Sequence, residues 1–301
     1  MAYLDKWLFY FYIYSFLGWC FESVEVSIRT KRWVNRGFMR GPFLPLYGSG
    51  ATMMLVVSMP FADNVSLTYV AGCIGATLLE YVTSVMMEGL FNVRYWDYSY
   101  RRYNFQGRIC LVSTLVWGFF TIMMTRVVHA PIAAFTDRIP PNALHYATIF
   151  LTAYVVVDFS LAFKTAMDLR DIMVRMQSAK DELLRMQKRL DVLIAFHTED
   201  KEQKKQEREQ LMDDVATGME QRFRRLKDAL PGISGTYVES LKEELSELRI
   251  RYNIYMEKRR AGKEELDFLE RDMLRNNPSM ISGKFKETLE ELKNTVVSRM
   301  N

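Results

Sequence analysis

Five acidic side chains lie inside stretches of the sequence that are otherwise apolar enough to cross a membrane. A charged residue at the centre of a membrane helix costs roughly 2.5–3.5 kcal/mol on insertion scales. We therefore expect these carboxylates to face protein, water or a cation, and to line a polar cavity that opens toward the cytoplasm. The candidates for a substrate or ion pathway are Glu22, Glu25, Glu80, Glu88 and Asp158.

Basic and polar side chains that could partner these acids cluster in two connecting segments. Segment 29–42 carries five Lys or Arg and no acid, and segment 92–108 carries four Arg against one Asp. Because a helix N-terminus attracts anions, an arginine just before one forms a ready anion site. The candidate anion-binding or structural partners are Arg36, Arg40, Arg94, Arg108, Asn35 and Asn104.

These charges support two interpretations that the sequence leaves open. In the functional interpretation, the acids line one wall of the cavity and the arginines lie at its mouth. The cavity then binds a cationic or zwitterionic solute, relays protons or holds a hard divalent ion. In the structural interpretation, acids near the interface pair with loop arginines and lock the helices together. Glu80 lies closest to the middle of its span, which favours a function for this residue.

The apolar runs predict an all-α fold, a polytopic membrane helix bundle of about five spans. Each run is long enough to cross a hydrocarbon core of ~30 Å. The connections alternate between basic and nearly neutral, so the positive-inside rule places the N-terminus outside and the C-terminus inside. Residues 1–164 are the expected transmembrane domain, with spans at about 7–28, 43–61, 67–91, 109–130 and 143–164.

The first four spans resemble two similar hairpins, each with an acid-bearing helix, a basic aromatic loop and a Gly/Ser-containing helix. A duplication would explain this pattern, and so would two unrelated hairpins that obey the same charge rule. The second span also begins unusually, because residues 41–50 include Pro42, Pro45 and three glycines. A continuous helix is therefore not expected to begin at position 42.

Residues 165–301 predict a cytoplasmic coiled-coil or helical-hairpin region that continues from the fifth span. Apolar residues follow three- and four-residue spacing, which is typical of a coiled-coil seam. The two seams could fold back on each other or pair between two copies, so a homo-oligomer or another protein partner remains possible. The first seam contains Leu169, Ile172, Met176, Ala179, Leu183, Met186, Leu190 and Leu193, and the second contains Val238, Leu241, Leu245, Leu248, Tyr252 and Tyr255.

Several of the same residues carry a family resemblance. The motifs are Tyr14–Glu22 (YSFLGWCFE), Asn35–Phe38 (NRGF), Pro45–Gly48 (PLYG), Leu79–Ser84 (LEYVTS), and the positions Trp96, Asp97, Tyr98 and Gly107. The chain resembles the ABC-transporter type IV family, also called CmpB-like permeases, of bacterial multi-pass membrane proteins. The resemblance is best over residues 8–120. It implies a permease in the bacterial cytoplasmic membrane.

The resemblance also implies a separate ATPase subunit, since the sequence contains no Gly-x-x-x-x-Gly-Lys-Ser/Thr loop. The expected function is therefore a permease-like membrane component of a transport system for a small solute or ion. The alternative is a membrane-anchored scaffold or sensor that recruits partners through its coiled coil. A membrane enzyme acting on a lipid headgroup, with Arg36 and Arg108 holding phosphate, is a third hypothesis.

The sequence gives little support to that third hypothesis or to several other classes of function. No nucleophile–base or metal-ligand spacing stands out, so we expect no enzyme activity, no metal and no cofactor. Residues 1–164 hold 13 Lys or Arg against 9 Asp or Glu, and this excess equals the net charge of +4 for the whole chain. Its placement indicates orientation in a lipid membrane and not nucleic-acid binding.

Overall fold

Helices make up nearly all the regular structure in the computed structural model, which describes residues 2–197, 224, 237–264 and 266–298. The prediction of an all-α fold is confirmed, apart from one hairpin of two short strands. The elements are α1 (Ala2–Thr30), α2 (Pro45–Ser58), α3 (Val65–Phe91), β1 (Asn104–Phe105), β2 (Ile109–Cys110), α4 (Leu111–Met123), α5 (His129–Asp137), α6 (Pro141–His197), α7 (Tyr237–Glu264), α8 (Phe268–Asn276) and α9 (Lys286–Ser298).

Helix α2 begins at Pro45, as the cluster of prolines and glycines before it predicts. Leu44 is extended, with φ −114° and ψ 92°, and Pro45 occupies the first turn, where its missing N–H is not needed. A short 3₁₀ turn, Met59–Phe61, continues the helix. The connection between α1 and α2 is therefore non-helical. Several of its backbone N–H groups, including those of Val34, Arg36 and Gly41, donate to side chains.

Three helices are long and apolar enough to cross a membrane, by length and composition, in the described part of the chain. They are Val65–Phe91, Leu111–Asp137 and Pro141–Leu190, which correspond to the third, fourth and fifth predicted spans. The second of these includes a π-helical turn, Met124–Val128, between α4 and α5. Helices α1 and α2, at the first two predicted spans, do not meet the same criterion, so the count of five spans stays a prediction.

The first four helices pack as neighbouring pairs, α1 with α2 and α3 with α4, and α2 also packs against α3. Small residues bring α3 and α4 together. A Cβ atom on Gly72 would meet the Thr121 side chain, and one on Gly118 would meet Cys73 and Tyr69. Close backbone approach through small residues is the usual way for membrane helices to pack. This contact fixes the position of α4 side chains relative to those of α3.

The chain divides into two compact units, and the first contains residues up to Arg170 together with those from Asp267 onward. Its second part, which we call the C-terminal segment (267–298), contains α8 and α9. The buried residues Met280, Phe285, Leu289 and Leu292 form its apolar side. The sequence predicts a cytoplasmic region that begins at 165 and includes these residues. In the structure they belong to the same compact unit as residues 1–170.

The second unit, Asp171–Leu266, contains the end of α6 and all of α7. The fifth predicted span continues without a break into this unit, as expected. The first predicted seam is buried from Leu169 to Leu190, and Leu248 and Tyr252 of the second seam are buried on α7. The side chains of Leu193, Val238, Leu241 and Leu245 lie outside the described residues. A Cβ on Gly262 would lie 2.9 Å from Cγ of Met176, so the end of α7 packs closely against α6.

Candidate functional site

Glu80 is the most deeply placed of the candidate carboxylates on α3, with 6% of its surface exposed. Tyr98 Oη donates a hydrogen bond of 3.0 Å to Glu80 Oε1, and Trp117 Nε1 donates one of 2.9 Å to Oε2. The three residues come from α3, from the loop after it and from α4. Both of these donors are neutral, so they stabilise the carboxylate without cancelling its charge. Among the described residues Glu80 has no ion pair.

The loop that supplies Tyr98 is built by the other motif residues. The N–H of Tyr98 donates to the carbonyl of Gly107 over 2.8 Å, and the Asp97 carboxylate accepts from the N–H and hydroxyl of Ser99. Gly107 has φ +67°, and a Cβ there would lie 2.8 Å from Asp97 Oδ1, so glycine is required at this turn. Trp96 Nε1 donates to the carbonyl of Arg108 over 3.0 Å. These residues position Tyr98.

Asn104 closes the same loop from its other side. Its amide nitrogen donates to the carbonyl of Arg101 over 2.7 Å, and its oxygen accepts from the N–H of Gly107 over 2.9 Å. Side chains of Asn commonly replace backbone partners in turns of this kind. Asn104 therefore stabilises the loop through hydrogen bonds within it.

Glu88 is held by two arginines. Arg94 contacts it through two nitrogens, with Nε 2.8 Å from Oε2 and Nη2 3.0 Å from Oε1, and Arg108 Nη2 lies 2.5 Å from Oε2. The side chains are 23%, 18% and 13% exposed for Glu88, Arg94 and Arg108. Such a paired, partly buried carboxylate is neutralised by its neighbours. The structural interpretation fits this residue.

Glu22 forms a different group, between α1 and α2. Tyr47 Oη donates to Glu22 Oε1 over 2.6 Å, and Arg36 Nε lies 3.8 Å from Oε2. Burial lowers the pKa of the Arg36 guanidinium below its ordinary value, and the neighbouring Glu22 carboxylate opposes that shift. Arg36 therefore remains the cation nearest to Glu22.

Asp158 on α6 binds backbone N–H groups, and none of the described residues forms an ion pair with it. Its Oδ2 accepts from the N–H of Gly41 over 2.7 Å, and its Oδ1 accepts from the N–H of Arg40 over 3.3 Å. The Arg40 guanidinium lies 5.8 Å from the ring centre of Phe268. Asn35 braces the same loop, since its amide donates to the Arg40 carbonyl. Asp158 thus satisfies N–H groups that the non-helical entry to α2 leaves free.

Glu25 is the most exposed of the five candidates. Its carboxylate pairs with Arg29 one turn further along α1, and their side chains are 40% and 74% exposed. Ion pairs of this kind on a helix surface contribute little to stability. Among the described residues, the five predicted acids therefore belong to separate hydrogen-bonded groups, and the cavity that they were expected to line stays a prediction.

The C-terminal segment contacts both basic loops, which the sequence analysis did not predict. Arg94 and Ile281 exchange backbone hydrogen bonds of 2.7 and 2.8 Å, as in a β-bridge. Arg36 donates to the Asn277 side chain over 2.7 Å, and Asn277 donates to the Gly37 carbonyl over 3.1 Å. The polar residues at 276–282 indicate that this stretch could form hydrogen bonds, but their types do not indicate which part of the chain they bind.

A small cleft lies where this segment meets the loop before α2. It is not lined by any of the five acids. Among the described residues, no group of three or more His, Cys, Asp or Glu is placed to hold a metal ion. The cleft is lined by Asn35, Gly37, Phe38, Met39, Arg40, Ala162, Thr165, Leu269, Asp272, Met273, Asn276 and Asn277.

The apolar helices and the polar groups buried among them define a helical membrane protein. Residues 9–163 match the family described as "Putative ABC-transporter type IV". The match spans more than half of the chain, so the chain belongs to this family, as the motifs predict. No curated protein and no solved structure matches the chain. The family match contains all five candidate acids and both basic loops.

Proposed function

We propose that this chain is the membrane-embedded component of a transport system that moves a small solute or ion. The proposal rests on Glu80. This buried carboxylate is bound by Tyr98 and Trp117, two neutral donors, whereas Glu88 is neutralised by two arginines. Keeping an unpaired carboxylate inside a membrane protein is expensive, and such residues mark ion, proton or substrate pathways.

The contacts of the other acids differ from those of Glu80 and indicate structural roles. Glu88 and Glu25 pair with arginines. Asp158 has neutral donors, as Glu80 has, but they are backbone N–H groups of the loop before α2, which Asp158 holds against α6. Glu22 is intermediate, since Tyr47 binds it closely and Arg36 lies 3.8 Å away. We therefore place Glu80 in the pathway, with Glu22 as a second residue on its cytoplasmic side.

The proposed arrangement has five spans with the basic loops in the cytoplasm of a bacterial cell. The positive charge of segments 29–42 and 92–108 supports this orientation. The 301 residues contain no phosphate-binding loop of the ATPase type. Energy would therefore come from a separate ATPase subunit, as the family description suggests.

The test uses membrane vesicles that contain the full chain with its native partners, in both orientations. Vesicles receive ATP and a small-molecule extract of the same cells, and mass spectrometry identifies the solutes that accumulate. Glu80→Gln should abolish ATP-dependent accumulation, because the side chain loses its charge. The amide oxygen can still accept from Trp117, and the amide NH2 can donate to the Tyr98 hydroxyl oxygen. The control is Glu25→Gln, the same change at an exposed ion pair, which should leave accumulation unchanged.

Folding is measured in the same samples. If Glu80→Gln lowers the amount of folded protein or its melting temperature strongly, Glu80 is structural and the proposal fails. If folded Glu80→Gln protein accumulates solute as the wild type does, Glu80 does not lie in the pathway. Either result would favour the second candidate function.

That second candidate is a membrane-anchored scaffold or sensor. Residues 171–266 form a compact unit of their own, and this unit lies wholly outside the family match, which ends at 163. A cytoplasmic protein bound through this unit would support the scaffold. The scaffold function predicts that Glu80→Gln protein retains this partner. It also predicts that the partner is lost when charged residues replace the buried Leu183 and Leu190.

A further inference from the structure

The loop between α3 and α4 presents an exposed basic and aromatic surface, which we call the loop tip (99–105). Tyr100 and Tyr103 are 74% and 68% exposed, and Phe105 is 55% exposed. Large aromatic side chains are seldom left this open on a surface that meets only water. These three residues belong to the family motif region but bind none of the candidate carboxylates.

Two arginines accompany these rings. The Arg101 guanidinium lies 5.2 Å from the ring centre of Tyr100, and that of Arg102 lies 5.2 Å from the ring centre of Tyr103. Neither arginine has a carboxylate partner among the described residues. The loop tip itself contains no acid. It therefore carries two uncompensated positive charges beside two exposed rings.

Backbone contacts hold the loop tip in one shape. The N–H of Arg101 donates to the Tyr98 carbonyl over 2.8 Å, and that of Leu111 donates to the Tyr103 carbonyl over 3.1 Å. Asn104 braces the carbonyls of Ser99 and Arg101. Tyr103 has φ +58°, a conformation that a bulky residue adopts only when its surroundings impose it. The rings and guanidinium groups are thus oriented before any ligand arrives.

The loop tip lies at the end of two membrane helices. The loop leaves α3 at Phe91 and enters α4 at Leu111, and both helices are long and apolar enough to span the membrane. Tyrosine is enriched at the membrane–water interface, where its ring and hydroxyl suit both sides. Arginine binds phosphate groups through two parallel hydrogen bonds.

We infer that the loop tip binds anionic phospholipids of the membrane in which the protein sits. Tyr100, Tyr103 and Phe105 enter the interfacial layer, and Arg101 and Arg102 bind lipid phosphate. An acidic protein partner would explain the arginines, but it would not explain why three exposed aromatic side chains accompany them. Free phosphate would leave those rings without a role.

The experiment measures lipid retained by the purified full chain, using native mass spectrometry from mixed micelles of phosphatidylglycerol and phosphatidylcholine. Arg101→Gln with Arg102→Gln should reduce the preference for phosphatidylglycerol about fivefold for each charge removed. The matched control is Lys284→Gln with Lys286→Gln, which removes the same charge from the C-terminal segment. It should keep the wild-type preference. An unchanged preference in the arginine variant, or an equal loss in both, overturns the inference.

A second variant separates a lipid surface from a plain phosphate site. Tyr100→Ala with Tyr103→Ala keeps both arginines, and the inference expects weaker lipid retention in this variant as well. If the tyrosine variant retains lipid as the wild type does and inorganic phosphate displaces it, the site binds phosphate alone. If lipid is unaffected by any variant and an acidic protein is lost with the arginines, the surface is a protein interface. The substituted side chains are largely exposed, so the variants should melt as the wild type does.

Discussion

The partners of each buried carboxylate separate structural residues from the candidate for transport. Glu88 and Glu80 lie on the same helix, eight residues apart, yet the first has two arginines and the second has a tyrosine and a tryptophan. Removing one member of a partly buried ion pair leaves uncompensated charge, while removing a residue with neutral partners does not. The two acids should therefore respond differently to the same substitution.

Glu88→Gln should destabilise the protein by about 2 kcal/mol, because Arg94 and Arg108 then face each other without a carboxylate between them. The change is measured as a lower melting temperature of the full chain in detergent. Glu25→Gln is the control, since its ion pair with Arg29 is exposed and contributes little. Equal melting temperatures for Glu88→Gln and Glu25→Gln would show that the Glu88 cluster is not structural.

At the scale of elements, the C-terminal segment is attached to the loop before α2 through one buried residue. Asn277 is 1% exposed, accepts from Arg36 over 2.7 Å, and donates to the carbonyls of Gly37 and Met273 over 3.1 and 3.0 Å. Without the amide, the Gly37 carbonyl and the Arg36 guanidinium each lose a hydrogen-bond partner, whereas the Met273 carbonyl still accepts from the Asn277 N–H. Asn277 thus fixes where α8 ends and where the segment crosses the loops.

Asn277→Ala should destabilise the attachment of the C-terminal segment by about 2 kcal/mol, because the Gly37 carbonyl and the Arg36 guanidinium each lose a partner. Trypsin should then cut faster at the exposed Lys284 and Lys286 of the full chain in detergent. Asn294→Ala, at an exposed position of α9, is the matched control and should be cut at the wild-type rate. If both variants are cut at that rate, the contacts of Asn277 do not hold the segment.

Two acidic residues at the start of α8 should make the stability of the C-terminal segment depend on pH. Asp267 caps the helix by accepting from the N–H groups of Leu269 and Glu270, and Glu270 Oε2 accepts from the N–H of Asp267 over 2.7 Å. Burial, with the nearby Asp267 carboxyl, raises the pKa of Glu270 to about 7. The hydrogen bond between the two side chains lowers the pKa of Asp267, and Arg271 adds to that effect.

A carboxyl whose pKa is raised on folding stabilises the folded state fully below its ordinary pKa of 4.5, and this contribution is lost as the pH rises through 7. Asp267 stays ionised over that interval in both states, so it adds no slope. The melting temperature should therefore fall between pH 5 and pH 8, and Glu270→Gln should remove part of the decrease. A variant whose melting temperature follows the wild type at every pH would refute this role for Glu270.

Much of the helical architecture could be predicted from the sequence, because apolar periodicity and helix-breaking residues act locally. The late start of α2 at Pro45 follows from proline chemistry, and the burial of Leu183 and Leu190 follows from their spacing. The bridge between Arg94 and Ile281 could not be predicted. It is formed by backbone atoms of residues 187 positions apart in the chain, and backbone contacts of this kind do not depend on side-chain type.

The partners of the acids were predictable only in part. Arginines near Glu88 were visible as a basic loop, but the donation from Trp117 to Glu80 depends on how α3 packs against α4. The two hairpins of the proposed repeat share one further feature. Tyr47 donates to Glu22 in the first hairpin, and Trp117 donates to Glu80 in the second. In each hairpin an aromatic donor of the second helix binds an acid of the first. Duplication itself stays a prediction.

At the scale of the whole molecule, the membrane half and the C-terminal segment form one unit, and residues 171–266 form the other. The family match at 9–163 falls entirely within the first unit. A partner ATPase would therefore meet loops that are already covered in part by the C-terminal segment. We expect this partner to contact that segment.

The most direct measurement is gentle extraction of the tagged full chain from its native membrane, followed by identification of the proteins that remain bound. The account predicts an ATPase in a fixed ratio to the chain, retained in Glu80→Gln protein and reduced in Asn277→Ala protein. Recovery of the chain alone, of self-associated copies, or of partners without ATPase activity would contradict the claim that it is the membrane component of an ATP-driven transport system.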